Sequence, residues 1–143
     1  MANAVTIDKK RLTEVRKRGL DSGGHRNFES GVCAMEAVAY IAREPFSDHP
    51  QCVCPVVASF IRSFNDGLAD DERSILLPLL PKVIGTRGSD KLAERRSLMA
   101  ADWLVRTHTV AWLRLAGLND NADALAALPE ITSMAQPRAA APA

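Results

Sequence analysis

The residues best suited to chemistry cluster in one short segment, SDHPQCVCP, which spans residues 47–55. This segment contains two of the three cysteines and one of the three histidines, and the remaining cysteine, Cys33, lies upstream in a predicted helix. Thiolate and imidazole groups are good ligands for Zn²⁺, and four of them satisfy its tetrahedral preference. The candidate ligands of a zinc site are Cys33, His49, Cys52 and Cys54.

The spacing of these residues favours buried thiols over a metal site. Zinc sites commonly use CxxC pairs, because each pair forms a turn that directs both sulfurs at one ion, whereas this segment contains CxC. Free cysteine is also among the residue types most often buried as a small apolar side chain. We therefore expect no cofactor, with bound zinc as the less favoured alternative.

A thiol-dependent enzyme is a second alternative at the same segment. His49 could act as the general base for a neighbouring thiol, and Cys54 precedes a predicted helix whose dipole would lower a thiol pKa. The sequence supplies neither a recognised nucleophile motif nor an oxyanion site, so we expect a protein that is not an enzyme. The candidate catalytic residues are Glu36, His49, Cys52 and Cys54.

Glu36 is the unusual residue among these candidates, because it shares a weakly polar helix stripe with Cys33 and Tyr40. Burying a charge without a partner is expensive, so this carboxylate needs a cation or a hydrogen-bond donor, or it must reach water. We predict that an arginine pairs with it. The candidate partners are Arg43, Arg62 and Arg106.

Helical periodicity and helix-breaking residues predict an all-α fold, a single-domain bundle of about five or six helices over residues 31–130. Pro78 should divide the helix that follows residues 70–72, because proline removes a backbone donor and clashes with the preceding turn. We expect the longest helix, which contains Trp103 and Trp112, to pack centrally in the bundle, with Trp103 among its inward-facing residues. The other predicted helices span residues 31–43, 55–67, 91–116 and 122–128.

The two ends of the chain differ from this bundle in composition. Residues 1–30 carry seven Lys and Arg against four Asp and Glu, which predicts a basic N-terminal arm. Nucleic-acid binding through this arm is a further alternative, although such domains usually show a larger basic excess. Residues 131–143 are rich in proline and alanine and predict a flexible tail. The candidate nucleic-acid contacts are Lys9, Lys10, Arg11, Arg16, Lys17 and Arg18.

The expected location of the protein is the cytoplasm. No apolar run approaches the roughly 20 residues that span a bilayer, and the first residues lack the apolar segment of a signal peptide. Three cysteines cannot pair completely within one chain, which also favours a reducing compartment.

Four segments of the chain, CAMEAVAYIAREPFSDHPQC, FIRSFND, LLPLLPKVIGTRG and DWLVRTHTVAWLRLAGL, resemble a group of uncharacterised small helical proteins encoded in actinobacterial and phage genomes. The resemblance covers residues 31–118 and implies a shared helical domain there. It implies no activity, because none is established for that group.

Complete core patterning without a catalytic or cofactor signature favours a non-enzymatic function. We predict a small helical module that binds another macromolecule, a regulator or inhibitor that acts through protein–protein contact. The alternatives remain a metal-binding or thiol-dependent enzyme, and a nucleic-acid-binding protein.

Overall fold

The computed structural model describes residues 6–133, and within this range the regular structure is entirely helical, as the sequence predicted. No helix in these residues is long and apolar enough to cross a membrane. The chain divides into two compact units, Met1–Gly88 and Ser89–Ala143, where the sequence predicted one domain over residues 31–130. The boundary falls in the glycine-containing loop that follows residue 84.

The first unit contains four α-helices and one 3₁₀ turn in its described residues. The segment between α3 and α4 is broken into short pieces around Pro78, as predicted, because proline cannot continue the hydrogen-bond pattern of a helix. The elements are α1 (Lys9–Arg18), α2 (Ala34–Ile41), α3 (Pro55–Gly67), the 3₁₀ turn (Arg73–Leu76) and α4 (Leu80–Val83).

Helix α1 belongs to the core of the first unit, so the prediction of a separate basic arm is not supported. Asp8 caps the helix and accepts hydrogen bonds from the backbone N–H groups of Lys10 and Arg11, at 2.9 and 3.1 Å. Val15 is fully buried, and Leu20 joins it in the same hydrophobic cluster. A short apolar stripe is therefore enough to dock a helix whose remaining surface is basic.

Helix α2 lies at the centre of the first unit and contacts α1, α3 and α4. Its sequence, AMEAVAYI, is rich in small side chains, which allow neighbouring backbones to approach closely, and only Tyr40 is partly exposed. Asn65, which is fully buried, ties α3 to this centre because its side-chain oxygen accepts the N–H of Ala34 at 3.2 Å. Arg73 in turn donates to the Asn65 carbonyl at 3.0 Å, so these buried polar groups are paired.

The second unit consists of one long helix and a shorter one. The long helix is continuous from Asp90 to Leu115 and contains a π-helical turn, which includes His108. Gly117, at φ 76°, ends it in the left-handed region that favours glycine. The elements are α5 (Asp90–Trp103), the π-helical turn (Leu104–Thr109), α6 (Val110–Leu115) and α7 (Asn119–Ala126).

The prediction that Trp103 faces inward is wrong, because its exposed fraction is 47%, and Trp112 on the same helix is 61% exposed. Helix α7 contributes mainly short side chains, and these cannot cover the length of the longer helix. Ile131, in the predicted tail, is buried, and its N–H donates to Asp102 at 3.0 Å. The rest of that tail, residues 134–143, lies outside the described residues.

Candidate functional site

The buried carboxylate of Glu36 is held by three hydrogen-bond donors, and none of them is an arginine. Its side chain lies at the third position of α2, from which Oε2 accepts the N–H of Cys33 at 2.8 Å. Oε1 accepts the backbone N–H of His25 at 2.6 Å, and Oε2 also lies 2.8 Å from Nδ1 of the His25 ring. The residue is only 2% exposed, so these contacts replace its lost hydration.

The prediction of an arginine partner for Glu36 is therefore wrong. Arg43 pairs with Asp8 at 2.8 Å, and Arg62 donates to the backbone carbonyl of Asp48 at 2.8 Å. The third candidate, Arg106, lies in the second unit and pairs with an aspartate one helical turn away, at 3.1 Å. Each arginine therefore has a partner other than Glu36, whereas His25, which does contact Glu36, lies in the loop before α2.

His25 is oriented by this carboxylate in the way that a catalytic base would be. A carboxylate oxygen only accepts, so Nδ1 carries the proton and Nε2 keeps its lone pair in the neutral ring. The ring lies directly against Gly31, where a β-carbon would approach Nε2 within 2.3 Å. Cys33 meets the same carboxylate through its backbone N–H, and burial raises the pKa of its thiol to about 12, so this thiol is a poor nucleophile near neutral pH. The arrangement acts as a structural clamp between the loop and α2.

The four zinc candidates are not assembled into a metal site. Cys33, Cys52 and Cys54 are buried free thiols, whereas the side chain of His49 is 68% exposed and its Nδ1 lies 2.6 Å from Asp48. Residues 6–133 contain no group of three or more His, Cys, Asp or Glu side chains that could hold a metal ion. Cys54 lies at the N-cap of α3, and its N–H donates to Thr86 at 3.1 Å.

Slow thiol labelling is the expected result for the folded protein near neutral pH. Burial raises the pKa of Cys33 to about 12, and burial together with the neighbouring Glu44 raises that of Cys52 to about 11. Each unit above the ordinary value lowers the thiolate fraction about tenfold, so a thiolate-specific reagent should react far faster after denaturation. Labelling rates from mass spectrometry check this. Rapid modification of one cysteine in the folded protein would contradict it and restore the thiol-enzyme alternative.

The six basic candidates for nucleic-acid contact all lie on α1, and two of them stabilise the fold. Arg11 donates to the Tyr40 carbonyl at 2.9 Å and lies over its ring, and Arg18 pairs with Asp21 at 3.3 Å and lies over the Phe28 ring. Nucleic-acid binding stays a prediction. The remaining exposed cations are Lys9, Lys10, Arg16 and Lys17.

The connector between α2 and α3 borders a cavity of about 270 Å³ in the first unit. Pro50, Val53 and Ala58 contribute apolar surface to it, and Arg62 and Arg87 contribute guanidinium groups. The sequence indicated this connector as the place for chemistry because of its thiols and His49, and it did not indicate a cavity lined by arginines.

An exposed line of apolar and aromatic side chains follows the long helix of the second unit. His108 lies between the two tryptophans: its ring centroid is 4.9 Å from that of Trp103 and 6.2 Å from that of Trp112, whose Nε1 donates to His108 Nε2 at 3.0 Å. Met99 precedes Trp103 by four residues and Leu115 follows Trp112 by three, which places them on the same face. We call these five residues the aromatic strip.

The π-helical turn aligns this strip. Trp103 and His108 are five residues apart, a spacing that an α-helix would place on diverging faces, whereas a π-helical turn brings such residues together. The sequence did not indicate this surface, because a regular helical period placed Trp103 among the inward-facing residues.

Comparisons with known proteins give no further guidance: no protein-family model matches the chain, and no curated protein sequence and no solved structure is significantly similar to it. The resemblance to actinobacterial and phage proteins therefore stays a prediction.

Proposed function

We propose that this protein is a non-enzymatic helical module that binds a protein partner through the aromatic strip of its second unit. One observation carries the proposal: both tryptophans of the chain are substantially exposed and lie on either side of His108 on one helix face. Tryptophan and methionine are enriched where proteins bind one another, and tryptophan is among the commonest residues to dominate binding energy.

The strip is ordered before a partner arrives, which supports its role in binding. His108 contacts both tryptophan rings and accepts a hydrogen bond from Trp112, so the three aromatic side chains restrict one another. Side chains that are already fixed lose less conformational entropy on association. Helical spacing of the apolar groups suits an apolar groove or helix face on the partner.

Such a module would act as a regulator or inhibitor by covering part of its partner's surface. The three free thiols fit the reducing cytoplasm as its place of action. The buried clamp at Glu36, by contrast, stabilises the first unit and supplies no nucleophile, so it does not support an enzymatic proposal.

Replacement of both tryptophans by alanine (Trp103→Ala with Trp112→Ala) is expected to abolish partner binding. A tryptophan at the centre of an interface contributes about 2 kcal/mol or more, so each substitution should weaken binding by about 30-fold or more. The measurement is quantitative affinity capture from nuclease-treated native extract, followed by titration of the purified partner. The tryptophan emission of this chain should shift to the blue on binding, because both of its tryptophans lie in the strip.

The matched control is the double alanine variant of Phe60 and Phe64, two exposed, stacked aromatic residues on α3 of the first unit. It should retain wild-type binding. Equal binding by the tryptophan variant would refute the strip as the docking surface. A blue shift that grows with concentration of the protein alone would show that a second copy occupies the strip, and would refute a separate partner.

A further inference from the structure

We propose that the cavity beside the connector of the first unit binds a small organic anion, with a carboxylate against its arginines and an apolar body against its wall. The cavity has a volume of about 270 Å³, and its lining combines these two kinds of surface. Small-molecule sites are typically concave and largely apolar, with a few polar groups that fix the ligand's orientation. This site is separate from the aromatic strip and does not depend on the proposed function.

The charge at the cavity favours an anion. Arg87 lines it, is exposed, and has no side-chain hydrogen bond or ion pair within residues 6–133. Arg62 is partly anchored, because it donates to the Asp48 carbonyl at 2.8 Å, and its Nε lies 3.8 Å from the Asp48 carboxylate. That carboxylate offsets the charge of Arg62, which leaves the guanidinium of Arg87 to pair with an anion. A guanidinium binds a carboxylate through two parallel hydrogen bonds.

Four of the other lining residues are apolar: the proline rings at residues 50 and 55, with Val53 and Ala58. His49 and Gln51 complete the lining. Prolines hold the connector's backbone, since the ring fixes one dihedral angle at each position. An ion such as inorganic phosphate would leave this surface uncovered, whereas a short alkyl chain would cover it.

Hydrogen bonds hold the loop that carries Arg87 against the connector. The N–H groups of Gly85 and Arg87 both donate to the Cys52 carbonyl, at 3.0 and 3.1 Å. Thr86, between them, accepts the N–H of Cys54 at 3.1 Å. The backbone that carries Arg87 is therefore fixed relative to the connector before a ligand enters, which lowers the entropic cost of binding.

The experiment measures hexanoate binding to the full chain by calorimetry and by NMR shifts of the Val53 and Ala58 signals. Hexanoate is expected to bind, and Arg87→Ala should weaken its binding about tenfold, the loss of one charge-assisted hydrogen-bonding partner. Arg87 has no structural side-chain partner in the described residues, so this variant should fold. Hexanol, inorganic phosphate and acetate are the matched probes that lack either the charge or the apolar body.

The control variant is Arg16→Ala, which removes an exposed cation from α1, outside the cavity lining. It should bind hexanoate as the wild type does. Equal weakening by the two variants would overturn the proposal, because it would show an effect of overall charge. Equal binding of hexanol would overturn the role of the arginines, and equal binding of phosphate or acetate would overturn that of the apolar wall. Absence of any hexanoate binding would overturn the site itself.

Discussion

Replacement of Gly31 by alanine is expected to destabilise the first unit by roughly 2–6 kcal/mol, the sum of a backbone term and a packing term. Gly31 has φ 151°, in a region that residues with a β-carbon rarely adopt. Its new β-carbon would also lie 2.0 Å from Cδ2 of the His25 ring. Relief of this overlap requires the ring to leave the Glu36 carboxylate. Since whole domains are stable by about 5–15 kcal/mol, the loss is large.

Hydrogen exchange of the α2 amides is the appropriate measurement, because both tryptophans lie in the second unit and do not report on the first. The matched control is Gly24→Ala, in the same loop. Its added β-carbon would meet Glu36 at 3.9 Å, an ordinary van der Waals contact, and its backbone lies outside the positive-φ region. Equal exchange in the two variants would contradict the argument.

A double-mutant cycle with His25→Ala separates the two terms. Removal of the ring eliminates the overlap but not the backbone strain, so the Gly31→Ala substitution should cost less in the His25→Ala background. If the cost is the same in both backgrounds, contact with the ring contributes nothing, and the backbone conformation alone requires glycine.

Replacement of Glu36 by glutamine is expected to destabilise the same unit by at least about 1–3 kcal/mol, because it leaves a buried backbone donor without an acceptor. The carboxylate accepts the N–H of His25 at one oxygen and the N–H of Cys33 at the other. A glutamine amide has only one accepting atom, so in either orientation its NH₂ group faces a backbone donor. A buried donor without an acceptor costs about 1–3 kcal/mol, and loss of the charge adds to this.

The matched control is Glu29→Gln, which makes the same change at an exposed position of the preceding loop. Its effect should stay within about 0.5 kcal/mol, as for most surface substitutions. Denaturant titration, followed by far-ultraviolet circular dichroism and by hydrogen exchange in α2, measures both variants. Comparable stability of the two would show that Glu36 is solvated and not clamped.

Helices whose signals are local were predictable from the sequence. Helix α3 begins at Pro55 and ends at Gly67, as predicted, because a proline at the first turn and an Asn-Asp-Gly sequence at the end act through their own backbone. The cap of α1 at Asp8 was predictable for the same reason. The long helix also agrees with its prediction to within about a residue at each end, the usual uncertainty of helix ends.

The candidate site was less predictable, and the start of α2 shows why. The sequence placed that start near Gly31, which put Glu36 in the second turn and suggested a partner among distant arginines. The helix starts at Ala34, so Glu36 occupies the third position and reaches back to the N-cap, while His25 completes the contact from the loop. The misplaced start of α2 and the wrong partner for Glu36 have the same cause. The path of the loop before α2 is fixed by long-range packing and not by the residues at the helix boundary.

By itself, the sequence determined that this protein is all-α, where its strongest helices lie, and that the connector around Cys52 is a junction between helices. Those features follow from periodicity, capping and proline sterics, which act over a few residues. Tertiary structure decided that α1 is part of a core, that His25 holds Glu36, and that the two tryptophans are exposed. Each of these features depends on which surfaces pack together. The burial of a side chain is set by neighbours that are distant in the sequence and that only the fold brings close.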